Sequence, residues 1–386
     1  MIHRHLNHSN WTLAAIDSCI TRGTPIDYAE LRAAALSDLQ TMNDIKHICG
    51  SVLGRYNDEN FDRELYEDWQ RWADKMALHP NKLRAAIAGT VTETHRAMLI
   101  TKDGTYKRVL AIGDIHGCSY HLQDLLAAVK PTKEDLIVTL GDYIDRGYYS
   151  KEVLDILISL HRNFNAVSLR GNHDALMLMC IDEVTPAAYY PRFKKCDEHT
   201  LDAWEIVTMK EPAQLWFGNQ GLVTLSSYCD PGSEQMQRLR QVNGMIRWPK
   251  DYQEPLRDLM ADLIPQAHID FLRNTCVDIC ETDSFIFVHG GLCPDLPLAD
   301  QPLFPLHWMR FDENWKPHVS GKKVICGHTP HRDLQVRDIG RAACLDTGAF
   351  MAKGFLTCVD VQTGHCWQVD TSYGIIREKN ETSYTR

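Results

Sequence analysis

The 386-residue chain is predicted to contain an α/β domain that follows an all-helical segment. From about residue 107 onward, short aliphatic runs alternate with amphipathic segments, which is the pattern of an α/β sheet. Before residue 105, apolar residues recur at helical spacing and almost no strand pattern is present. We therefore expect an N-terminal helical extension over residues 1–105 and a second domain over residues 106–386.

Three or four helices are expected in the extension. Their predicted ranges are Asn10–Ile20, Ile26–Tyr56, Asn60–Ala77 and Asn81–Ile100. The second range has the pattern of a helix start, because Asp27 precedes an apolar run and Glu30 lies three residues further on.

Three consecutive strand-to-helix units open the second domain. They comprise a strand at Val109–Ile112, a helix at Ser119–Val129, a strand at Leu136–Leu140, a helix at Ser150–Leu160 and a strand at Ala166–Leu169. Residues 176–266 are less regular and their second part has helical spacing, which indicates a mostly helical insertion or cap. Further strands are predicted at Phe285–Val288, Lys323–Ile325, Ala342–Leu345 and Phe355–Val359.

Composition and charge exclude several classes of protein. The net charge of -10 and the lack of a long basic run disfavour nucleic-acid binding. The sequence contains no run of 18 apolar residues, so no membrane span is predicted. The first ten residues lack the apolar core of a secretory signal. The 13 cysteines are odd in number and never form C-x-x-C, as expected for free thiols in the cytoplasm. Export without a signal peptide stays open.

Each of the first three predicted strands ends in a loop of metal-ligand residue types. Asp114 and His116 follow the first strand, Asp142 follows the second, and Asn172 follows the third. The spacings of 28 and 30 residues between these loops match one strand-helix-strand unit each. Because parallel strands end at the same edge of a sheet, we expect the four side chains to lie together.

Two histidines follow later strands in the same way, namely His289 and His328. Oxygen and imidazole ligands without thiolate suit manganese, iron or zinc. Asp142, on the middle of the three strands, is the natural bridge between two ions, and such a pair of ions activates water for attack on phosphorus.

Five motifs resemble, in order, those of the calcineurin-like metallophosphoesterases. They are GDIHG (113–117), GDYIDRG (141–147), RGNHD (170–174), VHGG (288–291) and GHTP (327–330). More narrowly, they resemble the bacterial and phage serine/threonine branch of the phosphoprotein phosphatase family. The resemblance covers about residues 107–368 and implies a β-sandwich flanked by helices, in an αββα arrangement of four layers.

The resemblance also implies two divalent metal ions per chain, manganese foremost, with iron or zinc as alternatives. The first ion would be bound by Asp114, His116 and Asp142. The second would be bound by Asp142, Asn172, His289 and His328.

Further roles follow from the same resemblance. His173 would be the general acid that protonates the leaving oxygen, oriented by Asp145. Arg146 and Asn172 would bind the phosphoryl oxygens, joined by Arg310 of LHWMRF, for which a structural or surface role is the alternative. Gln220 of WFGNQG stands where related bacterial sequences have a glycine, so a differently shaped loop is expected there.

The predicted function is that of a metal-dependent protein phosphatase. It would hydrolyse phosphoserine and phosphothreonine, with phosphotyrosine as a further candidate, by direct attack of hydroxide bound to the two ions. A bis(5'-nucleosyl)-tetraphosphatase is the alternative, but that group usually lacks the carboxylate at Asp145 and carries Trp instead of Thr329. A second alternative is an interaction scaffold that binds a protein partner through the helical extension. The expected partner is a phosphoprotein or phosphopeptide substrate, with no nucleic acid and no membrane span.

Overall fold

The computed structural model describes residue 45 and residues 47–49, 98–193, 198–245, 253–372 and 374–379. The chain divides into two compact units, residues 1–95 and 96–386. In the first unit, Ile45 and His47–Cys49 are helical. The other residues of the helices predicted between Asn10 and Ala77 lie outside the described residues, and so do most of those predicted between Asn81 and Ile100.

The second unit contains two six-stranded sheets. Its strands are β1 Met98–Ile100, β2 Val109–Ile112, β3 Leu136–Thr139, β4 Asn165–Ser168, β5 Ile279–Glu281, β6 Phe285–Phe287, β7 Lys323–Cys326, β8 Arg337–Asp338, β9 Ala342–Cys344, β10 Phe355–Asp360, β11 Cys366–Asp370 and β12 Ile376–Lys379. One sheet has the order β12-β11-β10-β2-β3-β4, and the other has the order β1-β5-β6-β7-β9-β8. Within them, β2, β3 and β4 are mutually parallel, as are β6, β7 and β9.

Helices connect and cover the strands. They are α1 Ser119–Val129, α2 Ser150–Asn163, α3 Asn172–Asp182, α4 Pro186–Tyr189, α5 Glu198–Thr208, α6 Pro212–Gly218, α7 Gly221–Ser226, α8 Glu234–Met245, α9 Gln253–Leu263, α10 Gln266–Asp270 and α11 Leu303–Trp308, with a short π-helix at Phe271–Thr275. The stretch predicted as a mostly helical cap therefore holds α4 to α9. Among the residues described, no helix is both long and apolar enough to cross a membrane.

The alternation of side chains along the strands produces two apolar layers. In β2, Val109 and Ala111 belong to a buried cluster that includes Phe287 of the other sheet. Leu110 instead belongs to a second cluster with Leu122 of α1. Successive strand residues point to opposite faces, so each sheet packs on its partner with one face and on helices with the other. The predicted α/β sandwich flanked by helices is confirmed.

The seven predicted strands all occur, each within one residue of its predicted ends. The helix predicted to run to Ile100 is wrong at its end, because Met98–Ile100 form β1 and pair in parallel with β5. Three apolar residues in a row fit a helix or a strand equally well, and pairing with a distant strand decides between them. The strands β5, β8, β11 and β12 were not predicted from the sequence.

Gln220, for which a differently shaped loop was predicted, keeps a backbone conformation typical of glycine. It precedes α7 with φ of +72°, in the left-handed region that favours glycine. A side chain at such a position costs conformational energy, whereas glycine accepts it without a steric penalty.

We therefore expect Gln220→Gly to raise the free energy of unfolding by about 0.5–1 kcal/mol, the strain relieved less the entropy that glycine loses on folding. Urea denaturation measures the change. Gln220→Ala is the matched control, since alanine keeps the strained φ and should give no gain. Equal stability of the glycine and alanine variants would show that this position stores no strain.

Candidate active site

The loops predicted to carry the chemistry converge at one edge of the sandwich. The parallel strands β2, β3 and β4 end at this edge and are followed by Asp114, Asp142 and Asn172 in turn. On the other sheet, β6 and β7 run parallel and lead into His289 and His328. The carboxyl ends of both sets of strands thus supply the site.

Donor atoms of these residues form two groups that share Asp142. In one group, atoms of His116, Asp142 and His173 all lie within 4.8 Å of one another. In the other group, the same holds for Asp142, His289 and His328. The position of Asp142 in both groups is the one that a bridging carboxylate requires.

The remaining two predicted ligands border these groups. Asn172 Oδ1 lies 3.1 Å from His289 Nε2. Both carboxylate oxygens of Asp114 accept from the backbone N–H of His328, each at 3.1 Å. All six predicted ligands are therefore brought together, while their roles as metal ligands stay a prediction.

Backbone carbonyls orient two of the imidazoles. His116 Nδ1 donates to the carbonyl of Ile144 at 2.9 Å, and His289 Nδ1 donates to the carbonyl of Leu140 at 2.8 Å. Since a carbonyl only accepts, each ring carries its proton on Nδ1 and turns Nε2 toward Asp142. Metal-bound histidines show this orientation, with the outer nitrogen fixed by a hydrogen bond and the inner one directed at the ion. In this structure the inner nitrogen of His116 accepts from Arg146.

The charges of the site also fit divalent cations. Burial raises the pKa of Asp114 well above its usual value, and neighbouring carboxylates add to the shift. Burial also opposes ionisation of Asp142, but the imidazoles of His289, His173 and His116 hold its pKa well below the usual value. Burial lowers the pKa of His116 and His328 well below 6.5, which favours neutral rings. Burial also acts to lower the pKa of His289, but the charge of Asp142 raises it above the usual value. Buried carboxylates and imidazoles together are the donor set that manganese, iron or zinc accepts.

Glycines allow the loops to approach the carboxylates. A Cβ on Gly171 would lie 2.1 Å from Asp142 Oδ1, and a Cβ on Gly327 would lie 2.1 Å from Asp114 Oδ1. No side chain fits at these distances, so the glycines of RGNHD and GHTP are required by packing against the two acids.

Asp174 holds two of the loops together. Its buried carboxylate accepts from the backbone N–H groups of Gly171 and Asp142 at 2.9 Å and of Tyr143 at 3.1 Å. Burial and the nearby charge of Asp142 raise the pKa of Asp174 to about 7. The last residue of RGNHD therefore fixes the loop that carries the shared carboxylate.

His173 is paired with the predicted carboxylate, and the cap helices hold that pair. His173 Nδ1 lies 2.6 Å from Asp145 Oδ2. Asp145 also accepts from Trp216 Nε1 at 3.0 Å and from Thr224 Oγ1 at 2.6 Å. Burial raises the pKa of Asp145, against the effect of these three hydrogen bonds. Trp216 and Thr224 were not predicted, because no local spacing links α6 and α7 to a loop more than 70 residues away.

The two arginines occupy different environments. Arg146 Nη1 donates to His116 Nε2 at 3.0 Å, and its guanidinium lies 4.2 Å from the ring centroid of Phe350. Arg310 is exposed, yet its charge contributes to the lowered pKa of His328 behind burial and His289. Both arginines thus border the site, and phosphate binding by either one stays a prediction.

Residues 107–357 match the family model of the calcineurin-like phosphoesterases. The chain belongs to this family. The family uses a dinuclear metal centre, and the two groups around Asp142 are candidate ligands for it.

Two curated relatives are serine/threonine phosphatases. The chain is 25% identical over 160 residues to the PP2A-like serine/threonine-protein phosphatase PPG1 of Candida albicans, covering 40% of this chain and 36% of that protein. It is 31% identical over 111 residues to the serine/threonine-protein phosphatase 6 catalytic subunit of Caenorhabditis elegans, covering 28% and 33%. The chain spans about a third of the length of these relatives.

Solved structures of several phosphatases are also similar. A structure provisionally named as a diadenosine tetraphosphatase has 19% identity and a TM-score of 0.42, covering 75% of this chain and 100% of that chain. The cold-active protein-tyrosine phosphatase of a psychrophilic Shewanella species has 16% identity and a TM-score of 0.41, covering 73% and 82%.

Proposed function

We propose that this phosphoesterase is a metal-dependent protein phosphatase that hydrolyses phosphoserine and phosphothreonine monoesters, with phosphotyrosine as a further substrate. The contact between His173 and Asp145, at 2.6 Å beside the shared carboxylate of Asp142, is the observation that carries the proposal. An alkoxide leaves phosphorus slowly unless it is protonated, so a phosphoserine phosphatase needs a well-oriented general acid. A nucleotide leaving group of a dinucleoside tetraphosphate has no such need.

Two metal ions would share Asp142, with His173 of the first group left free to act as the acid. Asp114, His116 and Asp142 would hold one ion, and Asp142, Asn172, His289 and His328 would hold the other. Two bound divalent ions activate water and neutralise the charge of the phosphoryl oxygens. The donor set contains no thiolate, which favours manganese, with iron or zinc as alternatives.

The chain's own residues bind the phosphate and move the proton. Asn172 and Arg146 would donate to phosphoryl oxygens, and Arg310 would approach from the exposed side. His173 keeps Nδ1 on Asp145 and directs Nε2 toward the site, 3.9 Å from Asp142 Oδ2. From there it would give its proton to the leaving oxygen, while Asp145 stabilises the charged ring.

A comparison of substrates tests the proposal. With manganese-loaded protein, we expect phosphoserine and phosphothreonine peptides to be hydrolysed with a higher kcat/KM than diadenosine tetraphosphate. A reversed order of kcat/KM would assign the chain to the dinucleoside tetraphosphatases. Absence of hydrolysis of either substrate by metal-loaded protein would reject both assignments.

The role of His173 predicts a dependence on the leaving group. We expect His173→Gln to lower kcat on a phosphoserine peptide by about 10²–10⁴-fold and to have a much smaller effect on p-nitrophenyl phosphate, whose phenolate leaves without a proton. Thr224→Val should show the same dependence at about ten-fold, since it removes a hydrogen bond from the charged partner of His173.

Thr224→Ser is the matched control, because serine keeps the hydroxyl that Asp145 accepts from, and it should retain near wild-type kcat on both substrates. Equal losses on the two substrates in the His173 and Thr224 variants would contradict proton donation by this pair.

A further inference from the structure

A sixth loop reaches the same edge of the sandwich. Residues 345–350, LDTGAF, follow β9, which pairs in parallel with β7. Their backbone packs closely on the first motif, since a Cβ on Gly113 would lie 2.3 Å from the carbonyl oxygen of Leu345. The loop therefore borders Asp114 on one side and follows the strand next to the one that leads into His328.

Asp346 in this loop is a buried acid with one oxygen unused. The residue is 1% exposed. Its Oδ1 accepts from the backbone N–H of Gly348 at 3.0 Å. Its Oδ2 has no hydrogen-bond partner among the described residues. A buried carboxylate oxygen without a partner is costly, and native proteins satisfy such atoms with a donor or a cation.

The surroundings of Asp346 favour a cation. A Cβ on Gly113, the residue before Asp114, would lie 3.6 Å from the backbone N of Asp346, so Asp346 packs against the first motif. Behind burial, its charge also contributes to the raised pKa of Asp114. The charge of Asp142 reaches Asp346 as well. Arg146 is near enough to oppose these effects, but its Nη1 donates to His116 and Oδ2 of Asp346 stays without a hydrogen bond. Three acids thus crowd one buried region.

We propose that Asp346 is an additional acidic residue of the first metal site, where its negative charge and its unused oxygen support the divalent ion held by Asp114, His116 and Asp142. The inference rests on the proposed metal site. It adds to that site a residue from a loop that none of the five motifs contains. In the absence of metal, the same carboxylate repels Asp114, and its hydrogen bond from Gly348 is one that asparagine can also accept. The charge of Asp346 therefore has effects of opposite sign on metal binding and on the stability of the apoprotein.

Asp346→Asn tests the inference in the full chain. After removal of metal with a chelator, calorimetric titration with Mn²⁺ should show two ions bound to the wild type and a loss of about 10–100-fold in the affinity of one of them in the variant. The Tm of the metal-free variant should exceed that of the metal-free wild type, and its rise in Tm on addition of Mn²⁺ should be smaller. Asp346→Ser carries the same expectations if the asparagine variant is not recovered in folded form.

Asp135→Asn is the matched control. Asp135 is a buried acid that precedes β3, at the end of the strand away from the site, and its Oδ2 accepts from Arg108 at 2.7 Å. This variant should lower the Tm of the apoprotein and leave both Mn²⁺ affinities unchanged, because it breaks an ion pair and touches no proposed ligand.

Three results would overturn the inference. Wild-type affinity for both ions in the Asp346 variant, with a lowered apoprotein Tm, would make Asp346 a structural residue. An increased KM with both Mn²⁺ affinities intact would mean that Asp346 acts on substrate binding through Arg146 and not on the metal ion. Failure of the wild type itself to bind Mn²⁺ would remove the metal site, and with it this inference.

Discussion

The carboxylate of Asp142 lies where the loops of both sheets meet, and the site is arranged around it. Its oxygens lie 3.5 Å from His116 Nε2 and 3.4 Å from His289 Nε2, and the backbone N–H of His173 donates to it at 3.0 Å. Burying such an acid is favourable only where positive charge or donors surround it. The N–H of His173 and the charges of the surrounding imidazoles serve this requirement, while Gly171 leaves room for the carboxylate and Asp174 fixes its loop.

The cap helices contact the candidate site through Asp145. Trp216 of α6 and Thr224 of α7 donate to its carboxylate, which in turn contacts His173. A buried acid with three partners has little freedom, so the ring of His173 is held in one orientation. Under the proposed function, this segment would set the geometry of proton transfer, and changes in its packing are expected to alter catalysis without altering the proposed metal ligands.

The sequence revealed those site residues that directly follow a predicted strand. A strand followed by a glycine and a ligand-type residue places that residue at the sheet edge, and this rule found Asp114, Asp142 and His328. Asp346 follows a strand as well, but its loop belongs to none of the five motifs. Trp216 meets Asp145 only after the chain has folded, and no spacing encodes that contact.

The strands were likewise predicted only where a local sequence pattern marks them. The seven predicted strands lie in short aliphatic runs, two of them only three residues long, whereas β1 was predicted as the end of a helix and is fixed by its pairing with distant β5. The two residues of β8 are polar and pair with neighbouring β9. Anomalous diffraction from crystals grown with Mn²⁺ tests the central claim most directly. Two peaks, one on each side of the Asp142 carboxylate and contacted by His116 and His328 respectively, are the result expected. Peaks located elsewhere, or none within reach of Asp142, would contradict the account.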